Sequence, residues 1–459
     1  MYLVMRLSYN RQCLYLRACK GIIMKDDIKN FLKSKGVLAE DIDLHAGLED
    51  FLEQMRDGLN GNKGLKMIPT YVKVGAKIPA NEKIIVLDAG GTNFRVCTLY
   101  FDDDMVEHVE SFMNYPMPGS QGELSKEEFF QTIVDYIEPV VNESSTIGFC
   151  FSYAADIQPN GDGVILNFAK EVRVPEVVGE KLGENILATL KARGLKHDHH
   201  IVVINDTSAA LLGGYNVSRK HGYDSNLGYI LGTGTNTAYV EDVNKIVKIH
   251  DKIPASERNA YMIINTESGD YTPKTLSELD NEIDAGTADP GTYRFEKMIS
   301  GRYQGLQALY LIREAIEENS GLFSTFFCER FEDVHDVKSK DLDDFLYMPY
   351  GQNVLSRCCA NVVDRENLYY IIDNIYERAA RLSAINLAAV MTQANAGKSP
   401  VRPVAITADG TTFYKSKLFR PKLSYYVRTF INDELHRYCE FIKVDNANLI
   451  GAAIAGLTN

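Results

Sequence analysis

The chain has 459 residues, 45% of them hydrophobic and 24% charged, with a net charge of −13. That length allows roughly two to four domains, and that composition supports a substantial buried core. The acidic balance and the lack of a basic stripe exclude a conventional nucleic-acid-binding face. They do not exclude a phosphate ligand, because backbone N–H groups and Mg²⁺ neutralise phosphate locally.

The first 23 residues carry Arg6, Arg11, Arg17 and Lys20 and no acid. Such a start reads as a targeting segment or as an extension upstream of a start at Met24. The second reading is favoured, because MKDDIKNFLKSKG opens like a fresh helix. Residues 25–60 are expected to be helical, with Leu44, Leu48, Phe51, Leu52 and Met55 at helical spacing. KIIVLDAG, Lys83 to Gly90, then reads as a strand, and RVCTLYF, Arg95 to Phe101, as its hairpin partner. Asp102, Asp103 and Asp104 mark a solvated turn rather than a cation site. Ser125-Lys-Glu-Glu128 is a capping box, opening a helix whose apolar face is Phe129, Ile133, Tyr136 and Ile137.

TIGFCFS, Thr146 to Ser152, and IVVIND, Ile201 to Asp206, are apolar runs that end in polar residues. Strand ends of this kind are where α/β folds place their chemistry. The His197-Asp-His-His200 run is expected in a solvated loop, not at a metal. A long helix is predicted over Asp364–Gln393, with Leu368, Ile372, Ile375, Ala379 and Leu382 as its buried stripe. The tail from Asn448 to Gly456 is rich in Gly and Ala, as a closely packed helix would be. No run reaches the roughly 18 apolar residues of a membrane span. The scattered cysteines Cys13, Cys19, Cys97, Cys150, Cys328, Cys358, Cys359 and Cys439 show no CxxC spacing and suit a reducing cytoplasm.

Two stretches share one design. LDAGGTNFRV, Leu87 to Val96, and ILGTGTNTAYV, Ile230 to Val240, each run apolar strand, glycines, Thr-Asn, apolar strand. Glycine tolerates the positive φ of a tight turn and leaves backbone N–H groups open to an anion. Neither stretch has the Lys of a Walker loop, and the second continues as a strand instead of opening a helix. Two such cradles suggest two related lobes gripping one polyphosphate.

With these motifs the chain resembles the hexokinase family, within the actin-like ATPase superfamily. LDAGGTNFR and GYILGTGTN look like its two phosphate motifs, and FCFSYAAD like the strand that brings a serine to the sugar. VVINDT resembles the segment of the catalytic aspartate, INTESG and RFEKMISGRYQG the glutamate-bearing sugar segments, and AITADGTTFY the adenosine-side loop. The resemblance runs in family order from about residue 40 onward, and its wording is closer to the bacterial members. It implies a two-lobed α/β actin-like ATPase (ribonuclease H-like) fold with a central cleft. The implied large lobe is 24–75 plus 207–445 and the small lobe 76–206 plus 446–459.

It further implies an ATP- and Mg²⁺-dependent transfer to a hexose 6-hydroxyl, with glucose the default acceptor and mannose and fructose open. Asp206 would be the base, although taken alone it reads as a helix N-cap. Ser152, Lys170, Asn205, Asn236, Glu267 and Glu296 would contact the sugar. Gly90, Gly91, Thr92, Asn93 and Arg95 would line the first phosphate cradle and Thr233 and Gly234 the second. Gly410 and Thr411 would lie near the adenosine, and Asp88 would hold Mg²⁺ through water. A monomer or homodimer is expected, with no nucleic-acid partner.

Three departures stand out. Asn167-Phe168-Ala169-Lys170 replaces the usual Asn-Trp-Thr-Lys, Tyr293 stands where a glutamine is common, and Ala447-Asn448-Leu449 replaces a Gly-Ser-Gly. The lost Ala169 hydroxyl predicts weaker or altered sugar binding, at about 0.5–1.5 kcal/mol. A non-catalytic sugar sensor and an ATPase that performs conformational work are the rival readings.

Overall fold

The computed structural model describes residues 24–168, 172–218, 221–318 and 320–459. The segment 1–23, with Cys13 and Cys19, and the sugar-loop residues Ala169 and Lys170 lie outside the described residues.

Apolar runs broken by turns give two main sheets. β1 (Ile68–Lys73) joins the second of them. β2 (Ile84–Ala89), β3 (Asn93–Phe101), β4 (Glu107–Pro116), β5 (Thr146–Phe151) and β8 (His200–Ile204) form the first, in the order β4-β3-β2-β5-β8. Between them in sequence, β6 (Ala155–Ile157) and β7 (Gly163–Ile165) pair as a separate hairpin. β9 (Ser225–Leu231), β10 (Thr235–Asp242), β11 (Tyr261–Asn265), β12 (Val404–Asp409) and β13 (Cys439–Ile442) form the second sheet, in the order β1-β11-β10-β9-β12-β13. With β1 set aside, the orders are the same. Each sheet has three antiparallel strands, then two strands parallel to the first of them. The duplicated turn therefore sits in a duplicated topology: β2–β3 in one sheet, β9–β10 in the other.

The helices that matter here are α1 (Asp26–Ser34), α2 (Leu44–Asn60), α3 (Lys126–Ile137), α4 (Asp206–Ser218), α5 (Arg294–Ile299), α6 (Gly301–Glu317), α7 (Val362–Gln393) and α8 (Ala447–Thr458). α4 follows the last strand of the first sheet and packs on β9, β10 and β12 of the second. α8 follows the last strand of the second sheet and packs on β2, β5 and β8 of the first. The two helices also pack against each other. Small residues permit this: a Cβ on Gly451 would lie 1.9 Å from the Ala209 carbonyl oxygen.

Four expectations need correcting. The stretch 25–60 is not one helical region, because Gly36 (φ 66°) ends the turn after α1 and a 3₁₀ turn at Ala39–Asp41 precedes α2. α7 starts earlier than predicted, at Val362, where the Asn361 side chain caps the Asp364 N–H. Its burial is also far broader than one stripe, since α2, α6 and further helices cover it on several sides. The histidine run is not a solvated loop throughout: His199 is buried. The capping box at Ser125 and Glu128 is present, and Phe129, Ile133 and Ile137 are buried as read. Asp102 closes the acidic turn by accepting from the N–H groups of Asp104 and Val106.

Candidate active site

The parallel register lines up the carboxyl ends of the first sheet. Ala89 faces Phe151 and Cys150 faces Ile204, so Gly90, Ser152 and Asp206 follow in one row along the same edge. In the second sheet Ile230 faces Asp409, which brings the β9–β10 turn beside Gly410. Open α/β sheets bind ligands at such edges.

The two glycine turns are built alike. In the first, the Gly90 N–H donates to the Asn93 carbonyl at 2.9 Å, and the Tyr153 hydroxyl ties the Gly90 and Gly91 carbonyls at 2.9 and 3.3 Å. The Met117 N–H holds the Thr92 carbonyl at 3.0 Å, and Asn93 Nδ2 donates to Thr92 Oγ1 at 3.0 Å. In the second, the Gly232 N–H donates to the Gly234 carbonyl at 2.9 Å, while the Gly232 carbonyl accepts from the Gly301 N–H and Thr412 Oγ1, each at 2.9 Å. Among the described residues, the N–H groups of Gly91 and Thr92, and of Thr233 and Gly234, make no hydrogen bond to the protein. Each turn thus ties its carbonyls back and leaves two donors open. That is the arrangement an anion requires.

The expected positive φ is absent. None of Gly90, Gly91, Gly232 and Gly234 lies in the left-handed region. The glycines serve approach instead: space around Gly91 is open, and a Cβ on Gly234 would lie 2.5 Å from Glu296 Oε2. Gly410 alone needs its special backbone, at φ 111°.

Asp206 is the first residue of α4 and is half-buried. Asn205 Oδ1 takes the capping position, accepting from the Thr207 N–H at 2.9 Å. Asp206 Oδ1 accepts from the same N–H at 2.7 Å and from Thr207 Oγ1 at 3.2 Å. Burial pushes its carboxyl up to about 7; Thr207 opposes this, and the neighbouring Asp88 and Glu267 charges add to it. Burial likewise pushes Glu296 up to about 7, against a hydrogen bond from the Thr235 N–H at 3.1 Å. Glu267, buried at the end of β11, is raised by the same cause, with Lys66 as the main opposing charge.

Asp88 is 2% exposed, and burial raises its carboxyl despite Arg95, whose NH1 donates to Oδ2 at 2.8 Å. Among the described residues its Oδ1 is buried without a nitrogen or oxygen donor, and the Cys150 thiol lies against the carboxylate. A carboxylate at this sheet edge, one oxygen of which has at most a weak thiol donor, has the donor chemistry that Mg²⁺ takes through water, so the residues present suit Mg²⁺. Ser152 donates its N–H to the Ala89 carbonyl at 3.1 Å, which fixes it beside the first turn. Asn236 Nδ2 reaches Asn205 Oδ1 at 3.4 Å, joining the two sheets.

The structure thus brings together Asp88, Asp206, Glu267, Glu296, Asn205 and Asn236. Thr233 and Thr411 line a cavity of about 570 Å³. Its walls include Arg302, Tyr303, Lys338, Ser339 and Lys340, which sequence reasoning missed. Arg302 lay inside the quoted RFEKMISGRYQG segment; Lys338-Ser-Lys340 has no signal until the fold is known. Asn265, inside the quoted INTESG segment but given no role there, hydrogen-bonds both Asn236 and Glu267, at 2.7 and 2.8 Å.

Comparison with known proteins agrees with this geometry. Two family profiles, both described as hexokinase, match residues 29–215 and 226–458. The chain is 28% identical to rice Hexokinase-2, over 90% of this chain and 85% of that protein. It is 25% identical to Hexokinase-1 of Schizosaccharomyces pombe, over 90% of this chain and 86% of that protein. Among solved structures, a hexokinase from Schistosoma mansoni complexed with glucose superposes with a TM-score of 0.76 at 23% identity, covering 95% of this chain and all of that one. The fold is therefore the two-sheet α/β fold of hexokinases, and among the described residues no helix is long and apolar enough to cross a membrane. With both halves of its length matched by profiles of one description, this chain belongs to the hexokinase family of sugar-phosphorylating enzymes.

Proposed function

We propose that the protein transfers the γ-phosphoryl group of ATP to the 6-hydroxyl of a hexose, glucose first among them, with Asp206 as the base. The observation that carries this reading is the position of Asp206. It stands at the sheet edge in the same row as the first open N–H cradle, with one oxygen spent on Thr207 and the other without a protein hydrogen-bond partner among the described residues. Phosphoryl transfer asks the protein mainly to position groups and stabilise charge. The hexose oxygen attacks the γ-phosphorus, its proton passes to the Asp206 carboxylate, and ADP leaves. A carboxylate with a pKa near the working pH suits that task.

Ser152, Asn205, Glu267 and Glu296 would hold the sugar, together with Lys170; Asn236 would join them only by exchanging one of the protein hydrogen bonds that occupy its amide here. Gly90, Gly91, Thr92, Asn93 and Arg95 would face the phosphates from one side, and Thr233 and Gly234 from the other. The cavity beside Thr233 and Thr411, with its cationic wall, would take the rest of the nucleotide, near Gly410. Asp88 would hold Mg²⁺, which supplies charge neutralisation on the phosphates. The small lobe is read as 76–206 plus 446–459 and the large lobe as 24–75 plus 207–445, closing on the sugar. The free cysteines are consistent with a cytoplasmic setting.

Formation of sugar phosphate from ATP and Mg²⁺ across glucose, mannose and fructose tests the reading. Turnover with at least one hexose supports it. Hexose binding without turnover favours the sensor, and ATP hydrolysis indifferent to sugar favours the ATPase.

A further inference from the structure

We propose that Asn265 is a positioning residue: the last link of an amide relay, Asn205–Asn236–Asn265, that aims Glu267 and ties it to the loop bearing Asp206. The proposal rests on the reading of Glu267 as a sugar-binding carboxylate.

The relay crosses the join between the sheets. Asn205 follows β8 of the first sheet, Asn236 lies in β10 of the second, and Asn265 ends β11. Asn236 is saturated by protein partners. Its Nδ2 donates to Asn205 Oδ1 at 3.4 Å and to Asn265 Oδ1 at 2.7 Å. Its Oδ1 accepts from the N–H groups of Thr237 and Ser268, at 2.8 and 3.2 Å. A primary amide has two donors and one oxygen with two lone pairs, so nothing is left over.

Asn265 completes the chain. Its Oδ1 also accepts from the Glu267 N–H at 3.3 Å, and its Nδ2 donates to Glu267 Oε1 at 2.8 Å. Only one orientation of this amide works, because a flip would face donor to donor and oxygen to carboxylate. One oxygen of Glu267 is therefore held, and Oε2 remains for a ligand. The backbone of Glu267 is left-handed, at φ 53°, a conformation that needs its surroundings to hold it. Asn265 is buried, so a partner lost there is not replaced by bulk water.

The test compares Asn265→Ala, Asn265→Asp and Glu267→Ala in the full chain, measuring kcat, KM for glucose and for ATP, and melting temperature. Asn265→Ala is expected to raise the glucose KM about tenfold, as loss of a charge-assisted bond would, while the ATP KM holds. The melting temperature should fall, because buried partners of Asn265 are left unpaired, so the split between the two KM values is the readout that separates positioning from a structural role. Asn265→Asp keeps the shape but sets a carboxyl against Glu267. Its glucose KM should be high at pH 8 and recover toward pH 6, where the introduced group protonates and donates as the amide did. The other charged or titratable groups acting on Glu267, namely Lys66, Asp270, Tyr293, Asp206 and Glu296, are shared with wild type. A recovery seen only in the variant thus belongs to the new carboxyl. If Glu267→Ala leaves the glucose KM unchanged, the sugar-site reading fails. If it raises the KM while both Asn265 variants match wild type at every pH, the relay fails.

Discussion

At the scale of single residues, Asp206 combines a functional demand with a stability penalty. Its carboxyl is raised from 3.8 to about 7, chiefly by burial. A base must be ionised, so kcat/KM for hexose should fall as pH drops through about 7; a flat profile between pH 5 and 8 in a rate assay would contradict this assignment. Linkage gives the sign for stability. The folded state keeps its proton to higher pH than the unfolded chain, so stability falls as pH rises from 3.8 toward 7. Asp206→Asn removes that loss. It should melt a few degrees above wild type at pH 8 by calorimetry, with the difference vanishing near pH 4, while remaining inactive.

Asp206 and Glu267 both follow apolar runs at strand ends, but it is the family resemblance that singles out Asp206, which taken alone reads as a helix N-cap. Asn265 lies inside the quoted INTESG segment, but its role is not legible there, because its link to Asn236 comes from another strand. Lys338 and Lys340 were hidden for the same reason, since only the folded loop brings them to the cavity beside Thr233.

At the scale of elements, most strands and the tail helix were legible from apolar runs and small-residue content. The reason for the glycines was misread at the turns. They do not supply positive φ; they leave open space at Gly91 and room for the Glu296 carboxylate at Gly234. The break between α1 and α2 falls at Gly36, with no proline to mark it in the sequence. The α4–α8 contact carries a direct prediction. Gly451→Val would drive a side chain into the Ala209 carbonyl, and overpacking of this kind costs about 1–3 kcal/mol or more. Denaturant unfolding should show that loss. An unchanged midpoint would mean that the helices do not pack this closely.

At the scale of the whole molecule, the duplicated strand order explains the duplicated turn. Each sheet offers one cradle, and α4 and α8 each leave one sheet to pack on the other. The two sheets are thereby coupled by helices that belong to both, which suits a cleft that closes as a unit. The proposed closure should appear as a smaller radius of gyration in X-ray scattering with saturating glucose, and an unchanged radius would count against it. The chain has no tryptophan, so intrinsic tryptophan fluorescence cannot serve instead. This fold-level symmetry lay beyond the sequence, where only the two glycine turns repeat and the flanking strands share no wording.

The most direct test of the central claim is glucose 6-phosphate formation by wild type and Asp206→Ala side by side, with glucose binding to each followed by calorimetry. The variant should still bind glucose while kcat falls by about 10²-fold or more. A variant that retains wild-type turnover would remove Asp206 as the base and, with it, the proposed mechanism.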